Sequence, residues 1–131
     1  MKVLFHKSAI DDLILVYSYC RSNFGLSVAK KLRSRIDKSI SLLKTRPYIG
    51  QVEPLLLGCT SLEYRKMVIL PYLKIIYSIH KEYIYIHVVW DVRQDENKLT
   101  NSVVNRYKNF DGGSVYNANE PETEYSKAKE V

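Results

Sequence analysis

The sequence predicts an α+β domain: an N-terminal strand, an antiparallel helical hairpin, then a three-stranded antiparallel meander with the helices on one face of the sheet. Three observations carry this. Apolar residues recur at helical spacing in two consecutive segments between Ser8 and Lys44. From Leu62 onward the apolar period falls to two. Glycine and proline stand where those segments must stop.

Lys2 to Phe5 is a short apolar run that reads as an edge strand. Ser8 is placed to cap a first helix, with Asp11 in the acidic position of a capping box. Ile10, Leu13, Ile14, Tyr17 and Cys20 form its buried stripe, and Phe24-Gly25 ends it. Ser27 is placed to cap a second helix with the stripe Ala29, Leu32, Ile36, Ile40 and Leu43; Pro47 stops it. Its other faces carry Lys30, Lys31, Arg33, Arg35, Lys38 and Lys44, a pattern that reads as solvated surface. A connection of one or two residues makes the pair antiparallel.

Three strands follow, Leu62 to Ile69, Tyr72 to Ile79 and Tyr83 to Arg93, turning at Leu70-Pro71 and at His80-Lys81-Glu82. Alternation gives each an apolar and a mixed face. Pairing Ile79 with Ile84 sets Lys74 opposite Val89 and Tyr72 opposite Asp91; pairing Val68 with Leu73 brings Arg65 beside Lys74. The expected result is an open sheet face showing Arg65, Tyr72, Lys74, Tyr85, His87, Asp91 and Arg93, with Trp90 on the core side beside Ile86 and Val88.

The chain has 131 residues, 46% apolar and 26% charged, a composition for one folded domain. Cys20 and Cys59 are too few for a disulfide scaffold, and with His6, His80 and His87 scattered they offer no metal-ligand spacing. No metal and no cofactor is expected. No secretory signal opens the sequence, and Met67 to Ile79 is too short and too interrupted to span a membrane, so a cytoplasmic protein with no membrane partner is expected. Residues 111–131 hold two cations against five acids, net −3, whereas residues 1–110 hold eighteen cations against nine acids, net +9. The division predicts a folded basic domain, 1–110, and a flexible acidic tail, 111–131. So basic a body suits nucleic acid, a ribosome or an acidic protein. The opposed charges also allow the tail to fold back over the sheet.

The order of elements resembles that of the RelE/ParE superfamily of toxins from type II toxin–antitoxin modules. Ser8-Ala9-Ile10-Asp11-Asp12-Leu13 resembles the family's first-helix start, Arg46-Pro47-Tyr48-Ile49-Gly50 the segment closing its helical hairpin, Tyr64-Arg65-Lys66 with Tyr72-Leu73-Lys74-Ile75-Ile76-Tyr77 its central strands, and Val89-Trp90-Asp91-Val92-Arg93-Gln94-Asp95 with Leu99 its last strand. The resemblance covers residues 3 to 99. It implies a toxin neutralised by a small acidic antitoxin, with one of two targets. RelE-like members cut mRNA in the ribosomal A site, and Arg65, Lys74 and Arg93 match cationic positions of that site. Two departures point away from it: Met67 stands where a lysine is usual, and no tyrosine or histidine follows Arg93 closely, Tyr107 being the next. ParE-like members inhibit DNA gyrase, and the ending Arg93-Gln94-Asp95 is similar to that branch, which the reading favours. A member that has lost toxicity and only binds a partner is a further alternative.

As a surface for target or nucleic acid, the candidates are Arg65, Lys66, Tyr72, Lys74, Tyr85, His87 and Arg93. Each has a plainer reading. His87 has a general base's pKa, but a lone strand histidine commonly fills half-buried space. Arg93 with Asp91 or Asp95 makes a structural ion pair equally well. Tyr72 and Tyr85 suit base stacking, yet strands favour tyrosine regardless.

Overall fold

The computed structural model describes residues 1–108 and the backbone of 115–117. Strand β1 (Lys2–His6) leads into α1 (Lys7–Phe24) and α2 (Leu26–Thr45); a two-residue strand β2 (Gln51–Val52) and a 3-10 turn (Pro54–Leu56) precede β3 (Arg65–Ile69), β4 (Leu73–His80) and β5 (Tyr83–Asp91); helix α3 (Glu96–Lys108) and strand β6 (Val115–Asn117) follow. The sheet order is β2-β3-β4-β5-β1-β6. The β3-β4-β5 meander is antiparallel as expected, and β1 lies parallel to β5. Because β6 pairs with the outer side of β1, the N-terminal strand is internal rather than an edge. The remainder of the expected acidic tail lies outside the described residues.

Both helices bury the stripes that their spacing requires: Ile10, Leu13, Tyr17 and Cys20 on α1, Leu32, Ile36, Ile40 and Leu43 on α2. These pack on Val3, Phe5, Ile75, Tyr77, Ile84 and Ile86 as the main core. Each fully buried aliphatic contributes about 1.5–3 kcal/mol relative to exposure. The caps differ from expectation. His6 Nδ1 accepts the Ser8 amide at 3.3 Å, so the helix begins at Lys7 and the Ser8 hydroxyl is not the cap. Gly25, at φ 91°, both ends α1 and precedes α2 directly, a turn too tight to leave Ser27 outside the helix as a cap.

Ile79 faces Ile84 as the turn predicts, but the ladder then slips: Tyr77 pairs with Ile86 while Ile76 pairs with Val88. His87 is the extra residue, a β-bulge. Beyond it each side chain of β5 exchanges faces. Ile84 and Ile86 join the helical-hairpin core, whereas Val88 and Trp90 join a second core with Leu56, Tyr64, Ile76, Leu99 and Val103. The expected pairs are therefore displaced. Lys74 faces Trp90, Leu73 faces Asp91 and Val68 faces Lys74, and Trp90 lies on the opposite side from Ile86.

The second core corrects the expected open face. Leu99 and Val103 of α3, with Leu56 of the 3-10 turn, cover it, and Lys74 and His87 are buried beneath. Among the described residues, no helix is long and apolar enough to cross a membrane.

Candidate functional site

The seven candidate side chains occupy four separate places. Lys66 and Lys74 alternate with Met67 and with Leu73 and Ile75, so both leave the hairpin core and meet one carboxylate on the far side of the sheet. Lys74 Nζ bonds Glu53 Oε1, and Lys66 Nζ lies 3.5 Å from Glu53 Oε2. Glu53 is 1% exposed; its backbone is extended just before Pro54, and its own amide donates to the Tyr64 carbonyl at 2.9 Å. A buried carboxylate must be paired, and a buried ammonium likewise. Lys74 thus neutralises an internal acid and presents no charge to an outside ligand.

Arg65 lies at the open end of the β3-β4 hairpin, opposite Tyr77. Its guanidinium donates to the Gly50 carbonyl at 2.8 Å, lies 3.3 Å from Glu63 and stacks 5.0 Å from the Tyr48 ring centroid. The Tyr77 hydroxyl donates to the Pro47 carbonyl and accepts from the Gly50 amide. A Cβ on Gly50 would stand 2.4 Å from that hydroxyl and from the Lys66 carbonyl, which is why glycine occupies the position. The Arg46–Gly50 segment is thereby tied to the sheet, and Arg65 is one of the ties.

His87 is the bulge residue and is buried; Ser78 Oγ lies 2.7 Å from its Nε2 and 2.7 Å from His80 Nε2. Tyr64 meets its ring edge-on at 5.2 Å, and Tyr85 lies 6.2 Å away. Burial, with help from the charges of His6, His80 and Arg106, pushes its pKa down to about 3. His87 is neutral in the folded protein and fills interior space.

Arg93 and Tyr72 lie at the other end, where β4 begins and β5 stops. Asp91 receives Arg93 Nε at 3.0 Å and Nη2 at 2.6 Å, and also the Arg93 amide at 2.9 Å. The guanidinium sits 3.8 Å from the Tyr72 ring centroid. Hydrogen bonding from Arg93 holds the Asp91 carboxyl below the usual range, and burial raises the Tyr72 phenol. Arg93 therefore has a fixed position on an exposed surface, which an ion pair to its own strand end provides.

Around this corner the surface is unusually apolar. Leu15 is 69% exposed, Tyr19 50%, and Phe24 52%, and Leu26 and Val28 are also exposed. Tyr72 is the common wall of two hollows. One, about 340 Å³, is bounded by Leu15, Tyr19, Asp91 and Arg93; the other, about 250 Å³, by Phe24, Val28, Lys31, Arg35 and Pro71. The two hollows, a groove divided by Tyr72, are lined by apolar side chains and by the cations Lys31, Arg35 and Arg93, with Asp91 beside Arg93. Apolar side chains gathered on one exposed surface mark an interaction site.

The structure therefore does not bring Arg65, Lys74 and Arg93 together. Arg65 and Arg93 are at opposite ends of the meander, and Lys74 is across the sheet from both hollows. The β3-β4 register, which sets Arg65 opposite Tyr77, the bulge at His87, which turns the end of β5, and the burial of Lys74 against Glu53 are the reasons. Among the described residues, no His, Cys, Asp and Glu side chains cluster in a way that could hold a metal ion. Sequence reading missed Glu53, Asp12 and Arg106. The one available signal was the i, i+4 pair Leu99 and Val103, which marks α3 as an amphipathic helix with Arg106 on its buried side.

A family model described as ParE toxin of type II toxin-antitoxin system, parDE, matches residues 3–96. Among solved structures, the chain is similar to one from the chromosomal ParDE TA system of P. aeruginosa, with 17% identity, a TM-score of 0.58, and coverage of 70% of this chain and 96% of that one. At that identity the likeness concerns the fold. The chain matches no curated protein.

Proposed function

Because the chain belongs to the ParE toxin family of type II toxin–antitoxin systems, we propose that it acts by binding, with DNA gyrase as its target and a small acidic antitoxin as its inhibitor. The observation that carries this reading is the state of the three cations on which a ribonuclease would depend. Phosphodiester cleavage needs converging cations and a group that moves a proton. Here Lys74 is occupied by Glu53, Arg65 braces the Gly50 loop, and Arg93 lies elsewhere against Asp91. His87 is buried among Ser78, Tyr64 and Tyr85, with its pKa pushed down to about 3 by burial, so it is neutral and enclosed.

Binding asks for less and fits better. The groove around Tyr72 offers Tyr19, Phe24 and Val28 as apolar contacts and Lys31, Arg35 and Arg93 as cations. An amphipathic acidic segment is complementary on both counts. Tyrosine and arginine are also the residue types on which interface energy concentrates.

A supercoiling assay with purified gyrase and relaxed plasmid tests the target. Saturating full-length protein is expected to inhibit supercoiling, and preincubation with the antitoxin is expected to restore it. Unchanged supercoiling at saturation would remove gyrase as the target.

A further inference from the structure

The charge of this protein is concentrated on one helix. Helix α2 holds Lys30, Lys31, Arg33, Arg35, Lys38 and Lys44 against Asp37 alone; six cations less one acid leave +5, against +6 for the whole chain. Helix α1, 18 residues against the 20 of α2, is neutral, with Lys7 and Arg21 against Asp11 and Asp12. The cations of α2 divide between two sides. Lys31 and Arg35 turn to the groove described above, and Arg35 donates to the Leu70 carbonyl at 3.2 Å. Lys30, Ser34, Lys38 and Ser41 form a second, exposed stripe along the outside of the helix, with half-buried Arg33 and Asp37 beside it. The stripe borders a shallow hollow in which Leu42 is the single aliphatic side chain.

We infer that this outer stripe of α2 is a second interaction surface, one that takes the phosphate backbone of duplex DNA. Three features select that occupant. The stripe alternates ammonium groups with hydroxyl donors, the side chains that contact phosphate oxygens. It has no apolar seam, which an acidic helix or strand would need in order to bury anything. Its length also fits. At 1.5 Å per residue Lys30 and Lys38 stand about 12 Å apart, which spans three to four base steps at about 3.4 Å each. Nothing on the stripe reads base edges, so binding is independent of sequence. The surface is separate from the groove, and the inference holds whether or not gyrase is the target.

Fluorescence anisotropy of the full-length protein with a labelled 25-base-pair duplex of arbitrary sequence, titrated from low to moderate salt, tests this without gyrase. The logarithm of the association constant is expected to fall linearly with the logarithm of salt concentration, with a slope near −3. Lys30→Gln with Lys38→Gln is expected to lower affinity at least tenfold at low salt and to reduce that slope by about two. Both positions are exposed and glutamine is a good helix former, so circular dichroism should be unchanged. Lys98→Gln on α3 is expected to bind as the parent does. Absent or salt-independent binding would overturn the inference, as would a double variant no weaker than Lys98→Gln. Polyglutamate peptide binding that is tighter than duplex binding at the same salt, and that the double variant loses, would assign the stripe to an acidic protein instead and would equally overturn the inference.

Discussion

Asp12 on α1 and Arg106 on α3, 94 residues apart, form a two-pronged ion pair, with Nη1 2.7 Å from Oδ2 and Nη2 2.8 Å from Oδ1. The pair sits on the β5 bulge. Asp12 Oδ2 accepts the Val89 amide at 3.0 Å, and Arg106 Nη1 donates to the His87 carbonyl at 2.7 Å. Strand β1 pairs with β5 only as far as Ile86, so these backbone groups lie just beyond its reach. A carboxylate and a guanidinium thus complete the strand's hydrogen bonding where its neighbour ends, and fasten α3 over the second core.

Removing either partner leaves the other charged and mostly buried. Arg106→Ala is expected to cost about 2–3 kcal/mol of unfolding free energy, below the range for fully buried pairs because both side chains keep some exposure. Asp12→Asn should cost less, since it retains a hydrogen-bond acceptor for the Val89 amide. Urea denaturation measures both, and a loss under about 0.5 kcal/mol for Arg106→Ala would contradict the latch.

His87 makes the protein acid-sensitive. Its folded pKa of about 3 lies below the unfolded value of 6.5, so between those values the unfolded chain binds more protons than the folded one. Stability is therefore full above pH 6.5 and falls as pH drops toward 3, by at most about 1.4 kcal/mol per unit for this group. His6 and His80, also lowered chiefly by burial, act in the same direction. His87→Leu is expected to flatten the slope by about one proton. An unchanged slope would show that His87 is not the buried neutral group described.

The same residue explains why sequence and structure part company. The helical hairpin was legible because α1 and α2 each bury one stripe and solvate the rest. The turn at Lys81-Glu82 and the Ile79–Ile84 pair followed from turn length. The bulge was not legible, because Ile84, Ile86, Val88, Trp90 and Val92 keep a perfect alternation across it. That alternation implies one face only while the other face is wet. With α3 covering the second face, both sides accept apolar residues and the pattern loses its meaning. Glu53 was hidden for a different reason: an acid beside a proline in a loop signals exposure, and only its two lysine partners make burial tolerable.

Glu53 provides the sharpest test of the lysines' role. Glu53→Gln leaves Lys74 buried without its counter-charge and is expected to cost about 3 kcal/mol. Lys66→Gln, at a half-exposed site 3.5 Å from the carboxylate, is expected to cost under about 1 kcal/mol. Thermal unfolding of the two variants separates them, and equal losses would mean that Lys74 is not the principal partner.

Substitutions in the groove should separate binding from stability. Tyr19→Ala and Phe24→Ser remove exposed side chains that stack edge-on at 6.3 Å, so each is expected to change stability by no more than about 0.5 kcal/mol. Both are expected to weaken capture of the acidic antitoxin by tenfold or more, read by calorimetry. Unaltered affinity in both would move the antitoxin elsewhere on the surface.

Whether this toxin binds or cuts is decided by following a message in an active translation extract. With the full-length protein at saturation, primer extension across a translated mRNA is expected to show no new ends, because Lys74 is held by Glu53 and the two arginines lie at opposite ends of the meander. Codon-positioned cleavage that Arg93→Ala abolishes would contradict that account directly.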